Sequence, residues 1–436
     1  PAYRWKFFKS DFLAGLTVAV VLVPQGMAYA LLAGLPPIYG LYASIFPLFL
    51  YAFSGTSPQL SVGPTALVSL LLLSQLSLIA EPGSPEYLDL AFKTAVVTGL
   101  LQIILGVSRM GFLSNFLSSP VMSGFTSAAA CIIALSQFKY LMGVEFAQGG
   151  AVREIILGLW VHLGEINLYS LGLGLGGILL IWALRKANPS IPGALITVVL
   201  GIGFVYYFAL QDWAQVIIIR DVPEGLPSFM LLDLNLGDYY RVLPLSITLC
   251  FVSFIESLAI AKSIEHQTKN HDVNPSQELL ALGLTKIGGV FFQSFPTTGS
   301  FSRSAINYSS GAISPISSMI TALLIALTLA YFTPYFYYLP KALLASIVII
   351  SVLGLINWKE AEQIWKSDQL DFLVLVCTFI CTLFLGIQEG IGLGIGLSFF
   401  MVLYRLSRAP LNSIALDDKV SPGKVDWNQA NFDQDI

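Results

Sequence analysis

The sequence predicts an all-α membrane protein with 14 transmembrane segments, arranged as two inverted repeats of seven. Of its 436 residues, 56% are hydrophobic and 11% are charged, and the mean hydropathy is +0.76. Soluble domains have about 25% charged residues. Apolar runs of about 20 residues, the length that crosses a bilayer, recur along the chain. Two shorter segments that begin with polar, turn-forming residues occupy matching positions in the two halves.

The first half, residues 1–210, is predicted to contain seven segments. They cover residues 12–32, 39–53, 64–79, 88–107, 120–138, 168–184 and 192–210. The run Pro24-Gln25-Gly26 is expected to interrupt the first segment, because proline lacks a backbone N–H. A short interfacial piece is expected at 111–118, and 152–163 is too short to span.

The second half, residues 211–408, repeats this pattern after a loop at 212–238. Its segments cover residues 240–263, 278–292, 296–310, 315–332, 340–356, 370–385 and 387–406. An amphipathic piece at 358–365 matches the interfacial piece of the first half.

The polar stretch 296–307 reads Pro-Thr-Thr-Gly-Ser-Phe-Ser-Arg-Ser-Ala-Ile-Asn. Residues up to Gly299 favour extended chain, and a helix can start at Ser300. The first N–H groups of such a helix have about half a positive charge and form a ready site for an anion. Irregular backbone at this depth must be buried in protein or line a cavity. We therefore predict a buried anion site beside Arg303.

A second stretch, 54–65, is rich in Gly, Pro, Ser and Thr and also leads into a short helix. Each of these short helices is the third segment of its half. Interrupted segments at corresponding positions of two halves are typical of the midplane site of a transporter. An odd number of segments per repeat requires the two halves to be inverted.

The distribution of basic residues agrees with this topology. Fourteen of the 22 lysines and arginines lie at predicted inside ends, six lie near outside ends, and Lys286 and Arg303 lie within segments. Cytoplasmic loops have the excess of basic residues. We expect a multi-pass protein of the cell membrane with both termini in the cytoplasm.

Several function classes are not favoured. The net charge of −4 does not predict a nucleic-acid partner, and three histidines and four scattered cysteines do not form a metal site. The cysteines lie in apolar segments, where packing is the simpler interpretation. We find no nucleophile–base pair and no phosphate-binding loop, so we expect neither an enzyme nor a cofactor.

Several motifs resemble a known family. Residues 24–30, Pro-Gln-Gly-Met-Ala-Tyr-Ala, and 34–42, Gly-Leu-Pro-Pro-Ile-Tyr-Gly-Leu-Tyr, resemble the signature of the SulP sulfate-permease family, solute carrier family 26. Residues 61–66, 254–259 and 298–307 are similar to the same family. The resemblance implies core and gate domains, usually assembled as a homodimer. It implies secondary transport of anions such as sulfate, chloride, bicarbonate or dicarboxylates.

The resemblance also implies which residues bind the substrate, between the starts of the third and tenth segments. They are Gln25, Tyr29, Pro64, Thr65, Ala66, Phe301, Ser302 and Arg303. Gln25 would donate through its amide and Tyr29 through its hydroxyl. The alternative for Tyr29 is an ordinary core aromatic residue.

Arg303 and Glu256 are both ionisable residues within predicted segments. An arginine at the bilayer centre costs at least about 2.5 kcal/mol, so it should face a cavity or a partner. The alternative is a structural ion pair between the two, without a role in transport.

Charge accounting connects this pair to the substrate. Two helix starts give about +0.5 each and Arg303 gives +1, so a sulfate dianion would balance the site. An ionised Glu256 would then leave excess negative charge. We therefore expect Glu256 to bind a proton together with sulfate. If Glu256 stays ionised, the same sum fits a monovalent anion. The alternative is therefore a bicarbonate or chloride transporter, with or without coupling to Na⁺ through Ser253, Ser257 or Thr298. A passive anion channel is a further alternative.

Members of this family usually have a cytoplasmic STAS domain after the last helix. Here a polar tail, 409–436, follows the last predicted segment and is too short for that domain. We expect it to be a cytoplasmic tail that leads to a STAS domain missing from this chain.

Overall fold

A computed structural model describes most of the chain. The described residues are 5–112, 119–144, 152–188, 191–220, 225–233, 235–268, 272–356, 358–386, 389–390, 392–394, 396–398 and 400–401. All helices and strands named below lie in one compact unit, Pro1–Ser398. The predicted tail 409–436 and most of the predicted piece 111–118 lie outside the described residues.

The first half of the chain is helical apart from one short strand. Its elements are α1 Phe8–Leu32, α2 Ile38–Tyr42, α3 Phe46–Ser54, β1 Val62–Gly63, α4 Ala66–Leu76, α5 Pro85–Val107, α6 Ser119–Met142, α7 Val152–Val161, α8 Leu168–Ala187, α9 Gly193–Phe208 and α10 Leu210–Trp213.

The second half also has one short strand. Its elements are α11 Leu236–Thr268, α12 Pro275–Val290, β2 Thr298–Gly299, α13 Phe301–Ser309, α14 Ile316–Tyr331, α15 Lys341–Leu353, α16 Trp358–Ser367 and α17 Gln369–Phe384. The described residues between 389 and 401 are helical, and the remainder of the last predicted segment lies outside the described part.

By length and composition, six helical stretches in the described residues can cross a membrane. They are Phe8–Leu32, Pro85–Val107, Ser119–Met142, Leu168–Ala187, Leu236–Glu265 and Lys341–Ser367. Shorter apolar stretches accompany them at Ile38–Ser54, Ala66–Leu76, Gly193–Phe208, Ile316–Tyr331 and Gln369–Phe384. The chain is therefore a multi-pass helical membrane protein.

Several helices start where the sequence provides a cap. Ser84 accepts a hydrogen bond from the Tyr87 N–H at the start of α5. Asn167 and Asn274 accept two backbone N–H groups each at the starts of α8 and α12. Such caps satisfy N–H groups that have no partner within the helix.

The expected interruption of α1 is wrong. The helix runs without a break from Phe8 to Leu32, with Pro24 inside it. Neighbouring helices tolerate a proline in a transmembrane helix, because they hold it in place and the backbone adjusts locally. Residues 22–30 are all buried, and α1 contacts α2, α4, α13, α14 and α15. This packing stabilises a helix that the local sequence alone would weaken.

The two predicted short helices are present. Helix α4 has 11 residues and α13 has 9, so neither can span a bilayer alone. Each follows a two-residue strand, and Ser300 has an extended conformation directly before α13. The prediction of extended chain up to Gly299 followed by a helix is confirmed.

Candidate functional site

The two strands before α4 and α13 pair with each other, which the sequence analysis did not foresee. Val62 pairs with Gly299 and Gly63 with Thr298 in an antiparallel ladder. The Ser300 N–H extends this ladder by donating to the Ser61 carbonyl at 3.0 Å. Because the strands are antiparallel and each leads into a helix, α4 and α13 begin at opposite ends of a very short sheet.

The starts of these helices have no side-chain cap. Neither Thr65 before α4 nor Ser300 before α13 makes a capping hydrogen bond. The first N–H groups of a helix have no partner within the helix and attract negative charge. Both helix starts are therefore suited to an anion.

Arg303 reaches from α13 to the chain before α4. Its side chain is fully buried, and its Nη1 donates to the Pro64 carbonyl at 2.9 Å. Its Nε donates to the Ser61 hydroxyl at 3.4 Å, whereas Nη2 has no hydrogen-bond partner among the described residues. A Cβ on Gly63 would lie 3.2 Å from Nη2, so a glycine gives the guanidinium room. These hydrogen bonds thus join Arg303 to two neutral acceptors, the Ser61 hydroxyl and the Pro64 carbonyl.

Two further hydrogen bonds hold α13 against the chain before β1. The Ser61 N–H donates to the Ser304 hydroxyl at 2.9 Å, and the Asn307 amide donates to the Gln59 carbonyl at 3.1 Å. Together with the contacts of Arg303, they make the two polar stretches one rigid unit.

Helix α11 is joined to β2 by hydrogen bonds. The Gly299 N–H donates to the Ser257 hydroxyl at 2.8 Å, and Ser257 and Thr298 share a hydrogen bond of 2.9 Å. Thr298 donates in turn to the Ser253 carbonyl at 2.8 Å. The hydroxyls of Ser257 and Thr298 therefore brace β2 rather than form a set of free oxygens for Na⁺.

Glu256 precedes Ser257 on α11 and is 8% exposed. Its Oε2 is buried and accepts no hydrogen bond within the part of the chain that the structure describes. The ion pairs formed by described residues include neither Glu256 nor Arg303. The alternative of a direct ion pair between the two is therefore not what the geometry shows.

Several buried polar atoms near the helix starts have no partner in the described chain. They are Gln25 Oε1, Thr65 Oγ1, Ser69 Oγ, Glu256 Oε2, Thr297 Oγ1, Arg303 Nη2 and Asn307 Oδ1. Nearly all buried polar groups in proteins are hydrogen-bonded, so a cluster of unsatisfied ones needs an explanation such as a ligand or water. Four of these seven atoms belong to residues that the sequence analysis assigned to the site, namely Gln25, Thr65, Glu256 and Arg303.

The remaining predicted residues range from buried to exposed. Ala66 opens α4 and is 5% exposed, and Tyr29 on α1 is 6% exposed. Phe301 and Ser302 open α13 and are exposed, Phe301 at 46%. The structure therefore places the predicted residues on α1, on α11 and at the starts of α4 and α13.

Ser351 on α15 was missed by the sequence analysis. It accepts a hydrogen bond from Gln25 Nε2 at 3.3 Å. A single serine in an apolar helix gives no sequence signal of its own.

Lys286 on α12 was noted within a segment but given no role. It is 1% exposed, and its Nζ donates to Gln102 Oε1 at 2.9 Å. Gln102 donates in turn to the Ser253 hydroxyl at 2.9 Å. Because the Ser253 carbonyl accepts from Thr298, this chain of polar groups connects a buried lysine with β2.

The motifs and the geometry agree with one sequence family. Residues 8–378 match the Sulfate permease family. The chain belongs to this family. The resemblance inferred from the motifs is confirmed, and because this is a family of permeases, so is the expectation that the chain is not an enzyme.

Similar proteins include two sulfate transporters. Sulfate transporter 4.1, chloroplastic, of Arabidopsis thaliana is 37% identical over 385 residues, which cover 86% of this chain and 56% of that protein. The sodium-independent sulfate anion transporter of Bos taurus is 35% identical over 422 residues, covering 87% of this chain and 67% of that protein. The chain thus spans little more than half the length of the first of these relatives.

Two solved structures are similar in fold. SLC26A9 has a TM-score of 0.87 and 25% identity, over 92% of this chain and 66% of that chain. The transmembrane domain of the cyanobacterial bicarbonate transporter BicA has a TM-score of 0.78 and 20% identity, over 91% of this chain and 98% of that chain. This chain therefore has a solute carrier 26-like fold.

Proposed function

We propose that this chain is a secondary active anion transporter that carries sulfate together with a proton by alternating access. One observation above all supports this. Arg303 is fully buried beside the starts of α4 and α13, its Nη2 lacks a partner among the described residues, and it forms no ion pair with Glu256. A buried cation that has no direct ion pair and an unused donor favours binding of an anion from outside the protein.

The substrate would bind between the two helix starts. Residues Pro64, Thr65 and Ala66 would contribute on one side and Phe301, Ser302 and Arg303 on the other, with Gln25 and Tyr29 as donors from α1. The two helix starts and Arg303 amount to about +2, which matches a sulfate dianion. The names of the plant and bovine relatives are consistent with sulfate.

Glu256 would couple transport to protons. With sulfate bound, an ionised Glu256 would add one negative charge to a neutral, water-poor site, where repulsion is strong. Protonation of the carboxyl group removes this charge. The unpaired Oε2 fits either form, because no neighbouring donor in the described chain fixes the carboxylate in its ionised state.

We further propose the architecture that alternating access needs. Residues 1–210 and 211–408 would form the two inverted repeats of seven segments. A core domain that contains α1, α4, α11 and α13 would move against a gate domain. The gate domain would contain remaining segments that include α8, α9 and α15. We expect a homodimer in the cell membrane with both termini in the cytoplasm. The matching β1–α4 and β2–α13 units support the repeat.

The test is uptake of radiolabelled sulfate into proteoliposomes, with and without an acidic exterior. Uptake should rise with the inward proton gradient, and Arg303→Ala should abolish it. Glu256→Gln should still bind sulfate but lose the stimulation by acid, because glutamine cannot release a proton. Glu265→Gln is the matched control on α11, since Glu265 pairs with Lys262 away from the site.

Two results would contradict the proposal in different ways. Strong pH dependence that persists in Glu256→Gln would eliminate Glu256 as the coupling residue. Flux of bicarbonate or chloride without sulfate uptake would agree with the proposed site but would show that sulfate is not the substrate. Flux that requires neither a proton nor a counter-ion would indicate a channel.

A further inference from the structure

Lys286 on α12 and Gln102 on α5 form a buried polar pair. Lys286 is 1% exposed and Gln102 is fully buried. Lys286 Nζ donates to Gln102 Oε1 at 2.9 Å, and this oxygen is its only hydrogen-bond partner among the described residues. An ionisable side chain within a membrane segment is costly to bury, so it is expected to have a function. The proposed transport mechanism gives this lysine no role.

The lysine fixes the orientation of the Gln102 amide. Gln102 Nε2 donates to the Cys250 carbonyl at 3.0 Å and to the Ser253 hydroxyl at 2.9 Å, both on α11. Ser253 gives its own hydrogen to the Leu249 carbonyl at 2.6 Å, so its hydroxyl oxygen can only accept from Gln102. A reversed amide would point Oε1 at two acceptors and its NH₂ group at the Lys286 donor. With Lys286 in place, only one orientation joins α5 to α11.

Ser253 is also a residue through which α11 holds β2. Its carbonyl accepts from the Thr298 hydroxyl at 2.8 Å. Strand β2 leads directly into α13, whose first N–H groups and Arg303 belong to the proposed anion site. The position of this helix start therefore depends on where α11 lies, and Gln102 ties α11 to α5 at the same residue.

Close packing of α5 against α12 fixes the place from which Lys286 reaches Gln102. A Cβ on Gly99 would lie 2.9 Å from the Gly283 carbonyl oxygen and 3.2 Å from the Lys286 Cβ. Gly99 lies one turn before Gln102 on the same face of α5. Because the two backbones touch here and both polar side chains are buried, bulk water cannot take the place of the lysine donor.

We propose that Lys286 is a positioning residue for the anion site. It fixes the Gln102 amide, the amide holds Ser253 of α11, and Ser253 holds β2 at the start of α13. This inference rests on the proposed function and adds to it a buried residue that sets anion affinity without touching the anion. A binding site needs supporting groups that fix its geometry to within about 0.5 Å. Without the donor, the amide can turn over, and α11 loses a constraint beside β2.

The test is equilibrium binding of radiolabelled sulfate to the purified protein in lipid nanodiscs, with thermal unfolding of each variant. Lys286→Met replaces the amine with an apolar chain that has no donor. It should weaken sulfate binding about two- to tenfold, the range expected for one hydrogen bond.

Thr285→Val is the matched control on α12. Thr285 is fully buried, and within the described chain its hydroxyl donates to the Leu282 carbonyl of its own helix at 2.8 Å. The loss of this hydroxyl should leave sulfate affinity unchanged, because it joins no other element.

A double variant separates positioning from stability. Gln102→Leu leaves the buried amine of Lys286 without an acceptor, so it should lower the unfolding temperature. The further change Lys286→Met makes both positions apolar and should restore that temperature. Sulfate affinity should not return, because the hydrogen bonds to Cys250 and Ser253 are still missing. A purely structural pair would regain both properties together.

The same variants show whether Lys286 acts through Gln102. In a Gln102→Leu background, Lys286→Met should cause no further loss of sulfate affinity, because residues of one hydrogen-bond network are not additive. A further two- to tenfold loss would mean that the lysine acts on the anion directly, and would overturn the positioning role.

The remaining failures can be told apart. Sulfate binding that is unchanged in Lys286→Met, or as tight in the double variant as in the unchanged protein, would overturn the positioning role alone. The double variant decides this even if Gln102→Leu does not fold. Absence of saturable sulfate binding by the unchanged protein would overturn the proposed function and the positioning role with it.

Discussion

Arg303 shows how much of the proposed anion site depends on a single residue. It is fully buried in a helix of a membrane protein, yet it donates hydrogen bonds only to a carbonyl and a hydroxyl among the described residues. Hydrogen bonds to a charged group contribute about 1.5–3 kcal/mol, but these two leave Nη2 without a partner in the described chain. The guanidinium thus has two roles. Its Nε and Nη1 hold the chain on either side of β1, and its Nη2 offers a donor to a ligand.

The first prediction at this scale concerns Arg303→Lys. Lysine retains the charge, but all three of its N–H donors are on one nitrogen, so a lysine that donates to the Pro64 carbonyl cannot also place a donor where Nη2 lies. We expect the KM for sulfate uptake to rise about 10- to 100-fold, the equivalent of one charged hydrogen bond. The measurement is the concentration dependence of uptake into proteoliposomes.

Arg241→Lys is the control for this substitution. Arg241 lies on α11 in an exposed ion pair with Glu86 and Asp238, where a lysine can take its place. Uptake by this variant should be unchanged. An unaltered KM in Arg303→Lys would mean that only the charge of residue 303 matters, and that its second nitrogen does not bind the substrate.

At the scale of elements, a close contact between α1 and α2 positions Gln25, one of the proposed donors. Gly40 of α2 packs against the Gly26 carbonyl of α1 so closely that a Cβ at Gly40 would overlap this carbonyl. Gln25 directly precedes Gly26, so the same contact helps to fix the position of the Gln25 side chain. Interiors packed to this density have no room for an added methyl group.

The second prediction concerns Gly40→Ala. The added methyl group must push α2 away from α1, so we expect destabilisation of about 1–3 kcal/mol together with weaker sulfate binding. The measurement is thermal unfolding of the purified protein, followed by sulfate binding at a temperature at which the variant is folded.

Gly172→Ala in α8 is the matched helical control. A Cβ there meets nothing within 4 Å, and alanine favours a helix over glycine by about 0.5–1 kcal/mol. This variant should unfold at the same temperature or a slightly higher one. Equal stability of both variants would show that the α1–α2 contact is looser than the structure indicates.

At the scale of the whole molecule, α1 connects the parts of the site. It contacts α4 and α13, whose starts form the proposed anion site, and also α15, on which Ser351 lies. The proposed inverted topology places the ends of these helices on defined sides of the membrane. The loop before α5 would be outside, and α16 would be inside.

The third prediction tests this topology. In a variant without the four native cysteines, a cysteine at Glu81 before α5 should react with a membrane-impermeant maleimide added to intact cells. A cysteine at Glu362 on α16 should react only after the membrane is opened. Both side chains are exposed, so a failure to react reports the side of the membrane rather than burial. Labelling of both positions from outside would overturn the inverted arrangement of the repeats.

The sequence by itself determined the helical membrane class, the family and the two short helices after extended chain. Hydrophobic length, Gly- and Pro-rich interruptions and rare ionisable residues such as Arg303 and Glu256 are local properties, so they can be read without a structure. The expected break at Pro24 failed because packing around α1 outweighs a local preference.

Only the tertiary structure decided how these elements meet. The pairing of Val62 with Gly299 joins residues more than two hundred positions apart, and no periodicity in the chain specifies it. The contact of Ser351 with Gln25 likewise depends on the packing of α15 against α1, and the serine has no local signal. A hydrogen bond between distant segments is a property of the folded arrangement, because each partner is an ordinary polar residue until the fold brings the two together.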